Sequence, residues 1–571
     1  MDDIEKQIWI FVLENAISYK GKAHGGAIVG KVFGQFPESR KKGKEINATI
    51  KKIVAEVNEF SLEEQKYRLD QLAPGYLLQK ELQREARKGS HSQLRDLENA
   101  QQGKVVLRFE PSPSGPLHIG HAYALGLNYL YKQKYHGKLI LRISDTNPAN
   151  IDPQAYTKIE QDAQWLTNNG VDEVIVQSDK MEIYYERALQ LIEEGFCYVC
   201  TCSPEIFKEF SNNQEPCPCR DLAQKEQLKR WQAMFTDYSQ GDAVVRAKFS
   251  MDHPNPAMRD FPLLRISDVD HARQGKKYRV WPLLNFAVPI DDHEMGMTHI
   301  LRGKDHYDNT HRQKFIFESF KWKLPQYIHM GKINFEGLRL STTETRENII
   351  AGKYSGWDDI RLAFLAALRR RGYHPEALLN FSRDIGVTMT DKTVTAEEFF
   401  KSVNHYNKEV IDKDASRYFF VKDPVEITVE NCPPKKVELD LHPDYKKGGR
   451  MFTVQGNFLI ARADFENIKE KQLWRLMDCC NFRRKKTTFV FDSEDYETFK
   501  KDNRHNIIHW LPDQNENVEV VVHMPDLTTV TGKGEPSLKN LAIGAVLQFE
   551  RFGFVRLDTK GKELEFWYCH T

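Results

Sequence analysis

The stretch from Val105 to Gly195 constrains the fold more than any other part of the chain. "VVLRF" is a short, continuously apolar run of the kind a buried strand requires, and the proline- and glycine-rich turn "EPSPSG" follows it. Helical spacing then puts Ala122, Leu125, Tyr129 and Leu130 on one face, and Gly137 closes the segment. "KLILRISD" repeats the strand. "PQAYTKIEQDAQWLTNNG" repeats the helix, with Ala155, Ile159, Ala163 and Leu166 in line, and "DEVIVQSD" with "IYYERALQLIEEG" supplies a third pair. Strands that alternate with helices run parallel, because each helix carries the chain back across the sheet. A doubly wound α/β half-domain is predicted.

At 571 residues the chain exceeds one compact core. Residues 1–100 read as a polar helical appendage, with apolar spacing at Ile46, Ile50, Ile53, Val54 and Val57 and a charged run "LQKELQREARKG". The first α/β half spans 104–195; over 196–278 cysteines, prolines and mixed charge replace the alternation, as in an insertion. Strand-like apolar segments resume in "VWPLLNFAVPIDD" and "MTHILRG", so 279–350 completes the sheet, and a helical linker follows over 351–418. Over 419–571 short alternating strands such as "VEITVE", "KKVELDL" and "VEVVVHM" predict β-barrels.

The net charge of +1 hides basic islands, "SRKKGK", "RRR" and "RRKK", which suit either a solvated surface or a polyanion-binding face. The opening "MDDIEKQIWIFVLENAISYK" is acidic and interrupted, unlike a secretory leader, and no apolar run reaches the roughly 18 residues of a membrane span. A cytoplasmic protein without a membrane partner is expected. Five of nine cysteines fall between 197 and 219. Cys200-x-Cys202 and Cys217-x-Cys219, fourteen residues apart, can close a four-sulfur site of the kind zinc prefers, with buried or idle thiols as the alternative.

"PSPSGPLHIGHA" occupies the first strand-to-helix turn, the usual phosphate site of an open parallel sheet. Ser112, Pro113 and Gly115 set the turn, and Gly120 lets the backbone approach a planar base. His118 and His121 lie one helical turn apart, on one face. Neighbouring metal ligands are missing, so two imidazole donors at a helix N-terminus fit a triphosphate better than a metal.

"RFEPSPSGPLHIGHA" resembles the HIGH signature of class I aminoacyl-tRNA synthetases, and its flanks are similar to the glutamyl branch. "LRISDTNPAN" and "WPLLNFAVPIDDHEMGMTHILRGKDH" resemble further blocks of that family, over about residues 104 to 350. The helical N-terminal segment and β-rich C-terminus are similar to the archaeal-type enzymes. The resemblance implies a Rossmann-type catalytic domain with an insertion that binds the tRNA acceptor end, a helical linker and β-barrel anticodon-binding domains.

It also implies roles for individual residues. His118 and His121 would hold ATP phosphates and stabilise charge at the α-phosphate. Arg108 and Arg302 would grip the carboxylates of L-glutamate, with Ser112 beside them. Where relatives carry an acidic residue and a tyrosine, this chain has Ser144 and Leu284, so Glu110, Asp145 or Asn285 is left to meet the ammonium. The family's KMSKS loop is represented by "LRLSTTETRENI", which lacks lysine. There Ser341 with Glu344 reads as a capping box that starts a helix. Its hydroxyls and free N–H groups, Ser341 and Thr342 among them, are expected to meet ATP, and Arg339 or Arg346 to replace the missing charge.

ATP with Mg²⁺, Zn²⁺ and tRNA-Glu are the expected partners, with tRNA-Gln as a second tRNA left open; a monomer is expected. "YKKGGR", "FRRKK" and "RHNIIHW" are candidate RNA contacts in the C-terminal strands. Three rival readings share parts of this pattern: a glutaminyl enzyme, a non-catalytic tRNA-binding paralogue and a tRNA-modifying paralogue.

Overall fold

The computed structural model describes residues 3–19, 21–36, 42–77, 94–502 and 506–571. The chain forms two compact units, Met1–Gln93 and Leu94–Thr571. In the first, helices Asp3–Ser18, Gly25–Gln35, Gly43–Val57 and Leu62–Leu72 enclose Val12, Leu13, Ile28, Ile50, Ile53, Val57 and Leu69. Gln65 is fully buried among them; its amide donates to the carbonyls of Gly21 and Val57 at 2.9 Å each. "LQKELQREARKG", residues 78–89, lies wholly outside the described residues.

The second unit begins before the sheet itself. Leu97 belongs to the apolar core of the α/β domain, and its N–H donates to the Tyr135 hydroxyl at 2.8 Å, so residues 94–100 belong with the α/β unit and not with the appendage. Strands β1 (Val106–Phe109), β2 (Lys138–Ile143) and β3 (Glu173–Val176) pair in parallel in that order, with Arg108 opposite Ile140 and Arg142 opposite Ile175. Helices Ile119–Tyr135 and Ala155–Leu166 make the crossovers. Both bury their apolar face, as the spacing predicts.

The insertion is an antiparallel sheet in the order β4 (Cys197–Cys200), β5 (Val244–Ala247), β6 (Pro262–Ile266) and β7 (Val280–Pro282). After β7 the expected strand is a helix, Leu284–Glu294. "VWPLLNFAVPIDD" is apolar on every side because Asn285 through Asp292 are all buried, and an all-round apolar segment has no period to betray its helix. Pro289 sits inside that helix.

The chain then returns to the parallel sheet. Strand β8 (His299–Gly303) pairs in parallel with β9 (Gln326–Met330), and Thr298 ties it to β1: the Thr298 N–H donates to the Val106 carbonyl and the Val106 N–H to the Thr298 hydroxyl. The linker carries helices Leu365–Arg371, Pro375–Ile385 and Ala396–Ile411. Beyond it two curled seven-stranded sheets form, one built from 424–430 and 457–512, the other from 417–422 and 518–570. Among the described residues no helix is long and apolar enough to cross a membrane.

Candidate functional site

The signature turn is held from several sides. His118 caps the helix Ile119–Tyr135: its Nδ1 accepts the Gly120 N–H at 3.1 Å, while His121 Nδ1 accepts the His118 N–H at 3.3 Å. The rings stack 3.8 Å apart. Because both Nδ1 atoms accept, each neutral ring carries its proton on Nε2, which leaves two N–H donors on one face. Burial lowers the His118 pKa to about 4, and burial together with His118 holds His121 well below its ordinary value. These are neutral donors near pH 7. Gly120 serves the capping ring directly, since a Cβ there would stand 3.0 Å from His118 Cε1.

The loop that resembles KMSKS meets this turn. Ser341 caps the helix Thr342–Ile350 by accepting the Glu344 N–H at 3.3 Å, as the sequence predicts. Only half of the capping box is present, because the exposed Glu344 carboxylate faces Arg339 at 3.4 Å. A Cβ on Gly115 would lie 3.0 Å from Thr342 Cγ2, so glycine at 115 lets the two segments touch. Arg346 donates to the Ser114 carbonyl and lies 3.4 Å from the Asp152 carboxylate. It binds the loop helix to the signature turn, with its charge partly balanced.

Below the turn lies a buried cluster in which two guanidiniums meet three carboxylates. Arg108 Nε donates to Asp292 at 2.8 Å, and its Nη2 is 3.2 Å from Glu110. Arg142 donates to Asp292 at 2.7 Å and to Glu110, with Asp291 at 3.8 Å. Burial disfavours the Arg142 charge, but Asp292, Glu110 and Asp291 outweigh it and raise its pKa. For Asp292 burial is likewise outweighed, by Arg108 and Arg142, and its pKa falls. Asp291 accepts the Tyr184 hydroxyl and the Gln177 amide, yet burial dominates and raises its pKa. Sequence reasoning passed over Arg142 and the Asp291–Asp292 pair. Two adjacent acids inside an apolar run were the available signal, since buried carboxylates need partners.

Arg302 is placed differently. It is 5% exposed, donates to the neutral acceptors Gln313 Oε1 at 2.9 Å and Thr310 Oγ1 at 2.7 Å, and faces the Tyr327 ring at 5.0 Å. Among the described residues it makes no ion pair with a carboxylate. Burial, then the nearby Arg108, lower its pKa. Its Nε and the Tyr327 hydroxyl are both buried without hydrogen-bond partners among the described residues. Gln313 also donates to Asn285 Oδ1 at 3.3 Å, which joins Asn285 to the same network.

The remaining expected site residues divide. Ser112 is exposed at the turn, and the Ser144 hydroxyl is buried without a partner among the described residues. The Asp145 carboxylate is engaged elsewhere: it accepts the Ser178 N–H and hydroxyl at 2.8 and 2.7 Å and the Tyr156 hydroxyl at 2.8 Å. That arrangement fits a scaffold role. Beside Asn285 a cleft of about 570 Å³ runs into the insertion, lined by Lys208, Arg246, Arg259, Leu284 and Arg312.

In the insertion, the sulfurs of Cys200, Cys202, Cys217 and Cys219 lie within 4.8 Å of one another. Cys200–Cys217 and Cys202–Cys219 are 3.9 and 3.8 Å apart. A tetrahedron with metal–sulfur bonds of about 2.3 Å has edges of about 3.8 Å, so the quartet fits a zinc-sized ion. Cys219 also accepts from Arg230 at 3.2 Å, a contact that would offset thiolate charge. Cys197 faces away, toward the Ala188 carbonyl.

Two of the three arginines in "RRR" are engaged within the fold. Arg371 donates to the Cys569 carbonyl, and Arg370 pairs with Asp358 and Asp558. In "RHNIIHW" His509 and Trp510 are buried and bonded to backbone carbonyls, while Arg504 and His505 lie outside the described residues, as do residues 39–41 of "SRKKGK".

Known proteins carry the same pattern. The family model "tRNA synthetases class I (E and Q), catalytic domain" matches residues 104–413, and two anti-codon binding domain models of that family match 415–510 and 507–558. The chain belongs to this family. It is 42% identical to a glutamate–tRNA ligase of Methanothermobacter marburgensis, over 99% of this chain and 100% of that one. Identity to the glutamate–tRNA ligase of Methanocaldococcus jannaschii is 41% over 98% of both, and to that of Pyrococcus abyssi 42% over 100% of both. A crystal structure of a glutamate tRNA ligase from Elizabethkingia meningosepticum in complex with its amino acid is 21% identical, covering 55% of this chain and 71% of that chain, with a TM-score of 0.40.

Proposed function

We propose that the chain activates L-glutamate with ATP and transfers it to the 3′-terminal ribose of tRNA-Glu. The observation that carries this reading is Arg302, a buried guanidinium held by neutral acceptors with its Nε unpartnered among the described residues, which suits the side-chain carboxylate of glutamate. A buried cation without a counter-charge is costly, and an anionic ligand relieves the cost. Glutamine, with a neutral amide, offers no such compensation.

The chemistry follows from the turn. A carboxylate oxygen of glutamate attacks the α-phosphorus of ATP; the bond to the bridging oxygen breaks and pyrophosphate leaves. His118 and His121 point two Nε2–H donors at the charge that develops on the phosphate oxygens, and their low pKa values keep them neutral donors throughout. The Thr342–Ile350 helix presents its N-terminal N–H groups to the phosphates in place of the absent lysines. A ribose hydroxyl then attacks the acyl carbon and AMP leaves. Mg²⁺ accompanies ATP and neutralises phosphate charge. The cleft through Arg246, Arg259 and Arg312 receives the tRNA acceptor end.

Zinc at Cys200, Cys202, Cys217 and Cys219 braces the insertion and takes no part in the chemistry. One bound zinc per chain by elemental analysis, lost in C217S, is the expected result. A monomer working in the cytoplasm fits this reading. Charging of tRNA-Glu and tRNA-Gln transcripts with glutamate tests the reading: charging of tRNA-Glu is required, and charging of tRNA-Gln decides whether the specificity is relaxed. Binding of tRNA without charging would leave the non-catalytic paralogue as the answer.

A further inference from the structure

Asp162 is a buried carboxylate for which the chemistry above has no use. It sits in the helix Ala155–Leu166, 2% exposed, and its Oδ2 accepts the N–H of Leu117 at 3.1 Å. Leu117 directly precedes His118. The other backbone groups of this turn are held by main chain or by imidazole: the Leu117 carbonyl by the Leu365 N–H at 2.9 Å, the Ile119 N–H by the Ala363 carbonyl at 3.1 Å, and the His118 N–H by His121. Among the described residues that fix 117–119, only Asp162 is an acid.

We propose that Asp162 is a positioning residue: its ionised carboxylate holds the Leu117 N–H and so fixes the turn that aims His118 and His121. The inference rests on the reading of the site as an adenylate-forming centre. An ionised acceptor makes the stronger bond to an N–H, and displacing reacting groups by about 1 Å costs about 100-fold in rate. The charged and titratable groups around Asp162 are Arg369 on the helix Leu365–Arg371, Lys158 on its own helix, and the two neutral imidazoles of the turn. Burial pushes its carboxyl up to about 7, against the opposing pull of the Leu117 N–H, Arg369 and Lys158. Protonation in mild acid therefore weakens the tie, while His118 and His121 stay neutral and add no titration of their own near pH 7.

The test is tRNA-dependent ATP–pyrophosphate exchange by the full chain, measured from about pH 5.5 to 9 for wild type, D162N and D162A, with thermal melting of each. Wild-type kcat should fall on the acid side of neutrality, and D162N, which keeps the size and an acceptor, should lose that limb while the KM for glutamate holds. D162A should lower kcat by about 10- to 100-fold. ATP ionises identically in all three, so the difference between profiles belongs to the protein. An acid limb unchanged in D162N, or no limb in the wild type, overturns the inference alone. A wild type without any exchange overturns the functional reading and the inference with it.

Discussion

Arg142 and Arg302 are buried guanidiniums on either side of β1, and the fold treats them in opposite ways. Arg142 is surrounded by Asp292, Glu110 and Asp291; among the described residues Arg302 bonds to Gln313 and Thr310 and faces the Tyr327 ring, with Glu110 and Asp292 acting on it without an ion pair. The first environment is electrostatically complete and the second is not. A complete cluster stiffens the sheet around it, whereas an incomplete one leaves a demand for negative charge, which on the proposed reading the side-chain carboxylate of glutamate meets. Arg108, expected from resemblance to grip glutamate, stands with Arg142 on the complete side, through Asp292 and Glu110.

The contrast breaks first at Asp292. D292N removes the shared counter-charge of two buried arginines and should cost about 3–5 kcal/mol of stability, read as a lower thermal midpoint. A folded D292N of normal stability with a raised KM for glutamate would make Arg108 and Arg142 substrate readers and erase the difference. R302Q should leave the melting temperature near that of wild type, because its partners are neutral, while kcat/KM for glutamate falls by about 10²–10³-fold. A loss of stability without that kinetic loss would move Arg302 to the structural side. The smallest effect is expected at the ATP end. R346A should raise the KM for ATP by about tenfold or less, since Asp152 already balances part of its charge. Normal exchange kinetics would remove Arg346 from the ATP site altogether.

Much of this was legible in the sequence, for identifiable reasons. Short apolar runs located β1 to β3, and turn residues with period-3.6 spacing located the helices between them, of which Ala155–Leu166 buries one face while Ile119–Tyr135 is buried along most of its length. The helix Leu284–Glu294 escaped, being buried all round. The signature turn and the cysteine quartet were readable because their spacing is itself the chemistry. Which arginine lacks a counter-charge was not readable, since Arg108 and Asp292 lie 184 residues apart and meet only through the fold. For Asp145 the sequence leaves an ammonium contact and a structural role equally open, and the bonds to Ser178 and Tyr156 favour the second. Asp162 gave no signal at all: one acid in an amphipathic helix looks like solvent-facing charge until Leu117 is found beside it.

The most direct test of the central claim compares glutamate with glutamine in ATP–pyrophosphate exchange by the wild-type chain, in the presence of tRNA. If Arg302 reads the side-chain carboxylate, glutamate supports exchange and glutamine, at matched concentration, does not. Equal exchange with glutamine would mean that the guanidinium does not read the side-chain charge, and the account of the site would be wrong.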